Sequence, residues 1–238
     1  MPAARTEAFA PAMISIYLTL RPDRAACGTA TGSAAESTPA NDYSQPGTLP
    51  PQNHSHQNQT MPTNHNTDDI FLQTDRLVLR RMALMDFGEL ASILQDPDVM
   101  YAWEYSFSDD DVMEWMNKCI HLYTTKNLGY FLVSDKTTHE VLGQAALLPT
   151  TIDGSEYHEI GYIFKKKHWH KGYAFESAQA LLNHAFNSLH LDCVVFEIRP
   201  ENIASRKVAE SLGAKVTGSF SKIVKSKPML HLIYTLAK

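Results

Sequence analysis

The chain has 238 residues, of which 44% are hydrophobic and 20% charged, and its formal net charge is -5 at pH 7. This length gives room for one domain with a sizeable core, and the ordinary, slightly acidic composition gives no reason to expect a nucleic-acid or other polyanionic partner. The three cysteines are odd in number and far apart, which argues against a disulfide framework or a zinc knuckle and favours a reducing, cytoplasmic setting.

The N-terminal part of the chain carries little apolar periodicity. The run from Ala12 to Leu20 is the nearest approach to a membrane segment, but it is shorter than the roughly 18 to 20 residues needed to cross a bilayer. From 27 to 66 the chain is rich in Ser, Thr, Pro, Asn and Gln, so it cannot bury enough apolar surface to offset its ordering entropy. We therefore predict a disordered polar tail over residues 1 to 69, a folded domain over residues 70 to 238, and no membrane partner.

The folded domain is predicted to begin with a strand within residues 70 to 82, where apolar and polar residues alternate. A helix follows between Leu84 and Pro97, because apolar side chains recur there at helical spacing and proline ends it. A second helix starts after Ser108, a good N-cap, and the three aspartates 109 to 111 lie at the positive end of its dipole. The same acids also fit metal ligands, so both interpretations stay open at this point.

The rest of the domain alternates strands and helices. A hairpin is predicted first, from segments 129 to 135 and 141 to 150. The remaining predicted elements are a strand at 156 to 164, a helix at 172 to 190, a strand at 192 to 200, a helix at 202 to 214, and a strand pair at 215 to 224 and 229 to 237. This order predicts a mixed α/β fold with helices on both sides of a partly antiparallel sheet.

A glycine stands at the start of the helix predicted for residues 172 to 190, in the segment "HWHKGYAFES". A helix N-terminus offers unpaired N–H groups and a positive partial charge, and Gly172 has no side chain to keep a phosphate away from them. The nearby lysines add attraction for an anion or simply form a solvated turn; they are Lys165, Lys166, Lys167 and Lys171. Neither the dinucleotide fingerprint nor the nucleoside-triphosphate loop is present.

The segment "WHKGYA" at 169 to 174 resembles the acetyl-CoA signature of the GCN5-related N-acetyltransferase (GNAT) family, written Q/R-x-x-G-x-G/A, and in particular its RimJ/RimL-type branch. Trp169 stands at the usual Gln or Arg position, and His170 departs from the glycine of that branch. The stretches "TDRLVLRRM", "DPDVM", "EIGYIF" and "RPENIASRKVAESLGAKVTG" resemble further segments of the branch, in the same order. The resemblance covers about residues 72 to 238.

This resemblance implies a GNAT fold, in which a mostly antiparallel central sheet is splayed at a bulge and flanked by helices on both faces. It implies transfer of an acetyl group from acetyl-CoA, as co-substrate, to a primary amine by direct attack in a ternary complex. Main-chain amides near Ile163 and Phe164 would polarise the thioester carbonyl. The amides that would hold the diphosphate are those of His170, Lys171, Gly172, Tyr173 and Ala174. No metal is expected, although His168 and His170 lie two residues apart.

The resemblance also offers catalytic candidates, each with a plainer alternative. Glu159 is the expected general base, 13 residues before Gly172, unless it is a strand-edge glutamate paired with a lysine. Asn202 would bind the pantetheine arm and Ser205 would protonate the leaving thiolate, but both also suit an ordinary helix start. Tyr234 is a weaker candidate for the acid.

The acceptor side is expected to be formed by residues 96 to 116 and 216 to 231. Trp103, Tyr105 and Phe107 with Glu104 would suit a cationic amine, or they would be core aromatics beside a capped helix. A protein N-terminal amine is the first acceptor that we expect, followed by small amines such as polyamines, amino sugars or antibiotics. A non-catalytic acyl-CoA-binding module and a homodimer also stay open.

Overall fold

The computed structural model describes residues 69 to 224 and 226 to 238. The predicted tail lies outside the described residues, except for Asp69. Among the described helices none is both long and apolar enough to cross a bilayer. The first helices and strands are β1 (Ile70–Gln73), β2 (Leu77–Arg80), α1 (Phe87–Leu94), α2 (Asp109–Lys126), β3 (Gly129–Asp135) and β4 (Val141–Ile152). They are followed by β5 (Ser155–Phe164), α3 (Tyr173–Asn187), β6 (Cys193–Ile198), α4 (Ile203–Ser211), β7 (Lys215–Val224) and β8 (Lys227–Ala237).

The eight described strands form one sheet in the order β1-β2-β3-β4-β5-β6-β8-β7. Every neighbouring pair is antiparallel except β5 and β6, which run parallel. The predicted mixed, mostly antiparallel sheet is therefore confirmed.

Helices cover both faces of the sheet, as predicted. Successive side chains on a strand point to opposite faces, so Gln144 faces one way and Phe164, which pairs with Gly143, faces the other. On the first face, the α2 residue Trp115 donates from its indole Nε1 to Gln144 Oε1 at 3.2 Å. On the second face, the ring of the α3 residue Tyr173 lies 6.4 Å from that of Phe164. Each helix buries its apolar side against the strand residues beneath it, which builds a core on both sides.

The strand predicted within residues 70 to 82 is present as β2, but the structure also has β1 there, paired with it in a hairpin that the sequence did not predict. Thr74 makes the turn: its N–H donates to Leu77 O and its hydroxyl accepts from Leu77 N–H, both at 2.9 Å. A threonine side chain that bonds nearby main chain is a turn signal of its own. Arg80 of β2 is buried and forms a two-pronged ion pair with Asp86.

The end of β5 is held in place by close packing against β4. A Cβ added at Gly143 would lie 2.4 Å from Ile163 O and 2.7 Å from Phe164 Cα. These are main-chain atoms, so they cannot move aside as a flexible side chain does. Only glycine fits at this position.

Replacing Gly143 with alanine is therefore expected to lower the free energy of unfolding by about 1 to 3 kcal/mol, through overpacking. The matched control is Gly88→Ala in α1, where an added Cβ meets nothing within 4 Å. That control is expected to be neutral or to stabilise by about 0.5 to 1 kcal/mol, since alanine is the better helix former. Urea unfolding of both variants checks the pair, and equal stability would show that β5 does not depend on the Gly143 contact.

Candidate active site

Strands β5 and β6 separate just beyond their first contact. Their register contains the pair Glu159 and Val195, and no later pair is formed among the described residues. On its other side β5 pairs with β4 without a register shift, from Gly143–Phe164 to Ile152–Ser155. The predicted splay is thus present, but the β4–β5 ladder contains no bulge to cause it.

Two cavities adjoin at this gap. The small cavity, of about 150 Å³, lies on the α2 side and is lined by residues that include Trp115, Tyr130 and Glu159. The large cavity, of about 530 Å³, lies on the α3 side and is lined by residues that include Phe164 and Gly172. The residues that line both are Ala102, Trp103, Tyr162, Ile163, Asn202 and Ser205. A molecule in one cavity can therefore touch a molecule in the other.

The wall of the large cavity includes the start of α3. Gly172 is the N-cap residue, with a φ of 80°, and His170 has a φ of 61°. The first helical main-chain bond is donated by Glu176 N–H to Gly172 O. Among the described residues, none of the six N–H groups from His170 to Phe175 donates to a protein acceptor. This row of free donors at a helix N-terminus makes an anion seat.

Arg76 fixes the shape of this turn, a role that sequence reasoning missed. Its Nε and Nη2 atoms contact Glu176 Oε2 at 2.7 and 2.6 Å, and its Nη1 donates to Lys171 O at 3.1 Å. The guanidinium also lies over the ring of Tyr173, 4.9 Å from the centroid. Burial tends to raise the pKa of Glu176, but the hydrogen bonds from Thr74 and Arg76 outweigh it, so the pKa is lowered and the carboxylate stays charged.

Most of the lysines expected beside the anion seat are engaged elsewhere. Lys165 pairs with Glu89 at 2.6 Å, Lys166 with Asp98 at 2.8 Å, and Lys167 with Glu140 at 2.6 Å. Lys171 does not line the large cavity, whereas Lys207, which the sequence did not single out, does. Lys207 is therefore the lysine that lines the large cavity, and none of the predicted run does so.

The end of β5 presents one of the two predicted carbonyl-polarising amides to the gap. Lys165 N–H donates to Leu142 O at 3.0 Å, and Ile163 O lies against Gly143 of β4. Because main-chain groups alternate in direction along a strand, the N–H and C=O of Ile163 point towards β4 and those of Phe164 point towards the gap. The Ile163 amide is therefore not the free donor. Trp169 holds this end of the strand, since its Nε1 donates to Phe164 O at 2.7 Å.

The start of α4 lies where the cavities meet. Asn202 caps the helix, with its Oδ1 accepting from Ser205 N–H at 3.1 Å, and the same oxygen accepts from Tyr101 OH at 3.1 Å. Tyr162 reaches across the gap from β5 and donates its hydroxyl to Ser205 O at 2.9 Å. Asn202 thus acts as a cap and also lines both cavities, so the two interpretations of this residue are compatible.

Glu159 lines the small cavity and is not paired with a lysine. The buried ion pair beside it joins Lys222 Nζ to Glu197 Oε2 at 2.9 Å, and Thr150 Oγ1 donates to the other Glu197 oxygen at 2.7 Å. Among the described residues no donor bonds the carboxylate of Glu159. Burial raises the pKa of Glu159 to about 8, the charge of Glu197 adds to the rise, and Lys222 opposes it.

Lys222 stays protonated in this cluster. Burial alone would lower its pKa, but the carboxylates of Glu159 and Glu197 more than reverse that effect and leave the pKa raised. With Glu159 ionised, the three side chains carry one net negative charge. The small cavity therefore suits one cation.

The aromatic residues of the predicted acceptor wall divide between the cavity and the core. Trp103 lines the small cavity, together with Trp115 of α2. Tyr105 and Phe107 stack on each other in the core cluster, with ring centroids 4.5 Å apart. Of the three predicted wall aromatics only Trp103 lines the small cavity, and its other aromatic side chains come from elsewhere in the chain, as Trp115 and Tyr130 do.

The three aspartates form the first turn of α2, and Asp111 takes part in the cap. Ser108 Oγ accepts from Asp111 N–H at 3.2 Å, and the Asp111 carboxylate accepts from Ser108 N–H at 2.9 Å. No group of three or more His, Cys, Asp and Glu side chains that could hold a metal occurs among residues 69 to 224 and 226 to 238. The helix-cap interpretation of these acids is the one that the structure supports.

Tyr234 is placed unfavourably for the acid role. Its side chain is buried, and its hydroxyl accepts from Arg206 Nε at 3.0 Å and donates to Glu210 Oε1 at 2.8 Å. It lines neither cavity. This tyrosine links β8 to α4 and belongs to the core.

Comparison with known proteins places this geometry in a family. The family model described as an acetyltransferase (GNAT) domain matches residues 76 to 215. The curated Bacillus subtilis (strain 168) protein YkkB is 35% identical over 152 residues, which cover 63% of this chain and 88% of YkkB.

Solved structures agree at the level of the fold. A GNAT-family acetyltransferase from Bacillus anthracis has a TM-score of 0.60 and 26% identity, covering 71% of this chain and 98% of that protein. RimL, a ribosomal L7/L12 α-N-protein acetyltransferase solved in complex with coenzyme A, has a TM-score of 0.59 and 17% identity, covering 71% of this chain and 97% of its own. At that identity the likeness to RimL shows a shared fold.

Proposed function

Because the chain belongs to the GNAT family of acyl-CoA-dependent N-acetyltransferases, we propose that the large cavity binds acetyl-CoA and the small cavity binds a primary amine. One observation carries this assignment: a half-buried carboxylate with a raised pKa lies in a cavity that adjoins a second cavity with a free row of helix N-terminal amides. The first feature suits proton removal from an ammonium, and the second suits a diphosphate.

The large cavity fits acetyl-CoA in size and in donors. Its volume of about 530 Å³ is in the range of small-molecule sites. The six free amides from His170 to Phe175 would bind the diphosphate, with Gly172 leaving their approach clear and Arg76 holding the turn. Asn202, at the other end, has its Oδ1 engaged, so its Nδ2 is the group to bond the pantetheine arm.

The acyl transfer follows from the groups around the gap. Glu159 takes a proton from the bound ammonium, which frees the nitrogen lone pair. The nitrogen then bonds to the thioester carbonyl carbon while the Phe164 N–H stabilises the charge that grows on the carbonyl oxygen. The carbon–sulfur bond breaks, and the nitrogen's second proton passes to the sulfur through the hydroxyl of Ser205, which lies at the junction of the cavities.

Both acceptor classes expected from the sequence, a protein N-terminus and a small amine, present the same ammonium to Glu159. The proposal therefore holds for a primary amine in general. A homodimer stays a prediction.

The proposal predicts free thiol from acetyl-CoA that depends on an added amine. Purified protein is mixed with acetyl-CoA and a panel of primary amines, thiol is measured with a chromogenic disulfide, and the acetylated amine is identified by mass. Calorimetry with coenzyme A runs beside it. Binding heat without amine-dependent thiol would instead describe a non-catalytic acyl-CoA-binding module.

A further inference from the structure

Two segments that are distant in sequence line the small cavity. One is the short helical turn Tyr101–Trp103 with Glu104 after it, and the other is formed by the end of β6 and the β7–β8 hairpin. The first contributes Ala102 and Trp103 to the lining, and the second contributes Arg199 and Met229, among others. An acceptor bound in the cavity lies beside both segments.

Glu104 ties these two segments together, and we call this arrangement the Glu104 clamp. One carboxylate oxygen contacts Arg199 Nη2 at 2.6 Å, and the other accepts from Lys227 Nζ. Arg199 also donates from Nη1 to Ala102 O at 2.8 Å, so the turn is held by its main chain as well. The hydrogen bonds from Lys227 and then Arg199 lower the pKa of Glu104, so the clamp stays charged at neutral pH.

The small cavity has little room. Its volume of about 150 Å³ is comparable with an apolar cavity of roughly 150 Å³ that accommodates benzene in another protein. An extended peptide has several further residues that this volume does not hold, and the clamp ties together two of the segments around it.

The charge of the cavity points to one positive group. Glu159 and Glu197 face one lysine, Lys222, while two more cations that line the cavity have carboxylate partners: Lys118 pairs with Glu114 at 2.7 Å, and Arg199 pairs with Glu104. Once Glu159 is ionised, one ammonium therefore balances these charges. A second ammonium on the same acceptor would lie among lysine and arginine side chains.

The aromatic wall suits an acceptor with an apolar body. Trp103, Trp115 and Tyr130 line the cavity, and the rings of Trp103 and Trp115 lie 5.9 Å apart. Aromatic faces attract an ammonium and pack against hydrocarbon.

We propose that the acceptor is a compact monoamine, a primary ammonium on a small apolar body, and that the Glu104 clamp excludes polypeptide N-termini. This inference rests on the proposed function, because it assigns the substrate class of the same transfer site. It selects the small-amine alternative over the protein N-terminus that the sequence put first.

The test compares kcat/KM for three kinds of acceptor with the full chain and acetyl-CoA. Benzylamine and isobutylamine represent compact monoamines, spermidine represents polyamines, and short peptides with free alanine, serine or methionine N-termini represent proteins. We expect the monoamines to exceed the peptides by about 100-fold or more, since misfit in a closed site costs several kcal/mol. Spermidine is expected to fall below the monoamines.

Two variants connect the preference to the clamp. Glu104→Gln removes the charge that both cations contact, and Lys227→Met removes one end, so each is expected to raise the peptide-to-monoamine ratio of kcat/KM by about 10-fold. The matched control is Glu89→Gln, which breaks the surface pair of Glu89 with Lys165 away from both cavities and should leave the ratio unchanged. Two independent variants keep the test usable if one of them folds poorly.

The possible failures are distinguishable. Peptides acetylated as well as monoamines by the unmodified protein, or an unchanged ratio in both clamp variants, would overturn the substrate class while leaving acetyl transfer in place. Spermidine as the preferred acceptor would overturn the single-charge argument. Coenzyme A binding without thiol release for every acceptor would overturn the proposed function, and this inference with it.

Discussion

Replacing Gly172 with glutamate is expected to abolish measurable binding of coenzyme A. Gly172 caps α3 with a φ of 80°, a conformation that residues with a side chain rarely adopt, and an added Cβ would lie 3.4 Å from Arg76 Nη2. The new carboxylate would also reach the free amides of the turn and the Arg76 guanidinium, so it would occupy the anion seat itself. We expect the dissociation constant measured by calorimetry to rise by about 100-fold or more.

The chain offers a close control for this change. Gly154, in the hairpin turn between β4 and β5, has a φ of 82° and open space around its Cβ position, and it lines neither cavity. Gly154→Glu therefore introduces the same charge at the same backbone angle, and we expect it to retain coenzyme A affinity. Equal affinity in both variants would remove the start of α3 as the diphosphate seat.

The features that could be predicted best from the sequence are those that depend on residues close together in the chain. The cap at Ser108, the β3–β4 hairpin and the start of α3 follow from side chains within a few positions of each other, and the structure has all three. Local chemistry also explains the miss at the first strand. The Thr74 hydroxyl makes a tight turn inside a run that reads as one strand by alternation alone.

Contacts between residues that are far apart in the chain could not be predicted from the sequence. Arg76 is 100 residues from Glu176, and Glu104 is 123 residues from Lys227, so neither the braced turn nor the clamp has a local signal. The lysines near the anion seat looked free because their partners lie in other segments, as Glu89 does for Lys165. The sequence identifies which residues are charged or aromatic. Which of their side chains meet in one cavity depends on how the sheet and helices pack.

The register of β5 against β4 determines which main-chain amide is free. Ile163 and Phe164 are equivalent candidates by sequence, and only the pairing of β5 with β4 shows that the Phe164 amide points to the gap. The alternative of a lysine-paired Glu159 also depended on distant contacts, and in the structure the neighbouring Lys222 bonds Glu197 instead, while the role of Glu159 as base stays a proposal. The sequence gives the type of each residue, but the direction in which its main-chain and side-chain groups point depends on the neighbouring strands.

Replacing Glu159 with glutamine is expected to lower kcat/KM by about 100-fold or more at neutral pH, the range for loss of a general base. The pH dependence identifies the role. With the pKa of Glu159 raised to about 8, the unmodified enzyme should gain activity with pH and level off above about pH 8. The variant has no such group, so its rate should continue to rise towards the pKa of the amine itself, and the gap between the two should narrow above pH 8.

Other ionisable groups line the same cavity and can contribute to the pH profile; they are Lys118, Cys119, Tyr130, Tyr162, Glu197, Arg199, Lys222 and His231. The matched control is Glu156→Gln, the same change at an exposed position on β5, which should leave the profile intact.

A stability measurement separates catalysis from folding. Because the pKa of Glu159 is raised in the folded state, its ionised form opposes folding, and the cost grows as pH rises from the ordinary value and is complete above about pH 8. Glu159→Gln should therefore melt no lower than the unmodified protein at pH 9. A loss of activity equal at every pH, or one accompanied by a lower Tm at pH 9, would show that Glu159 supports the structure and does not take the proton.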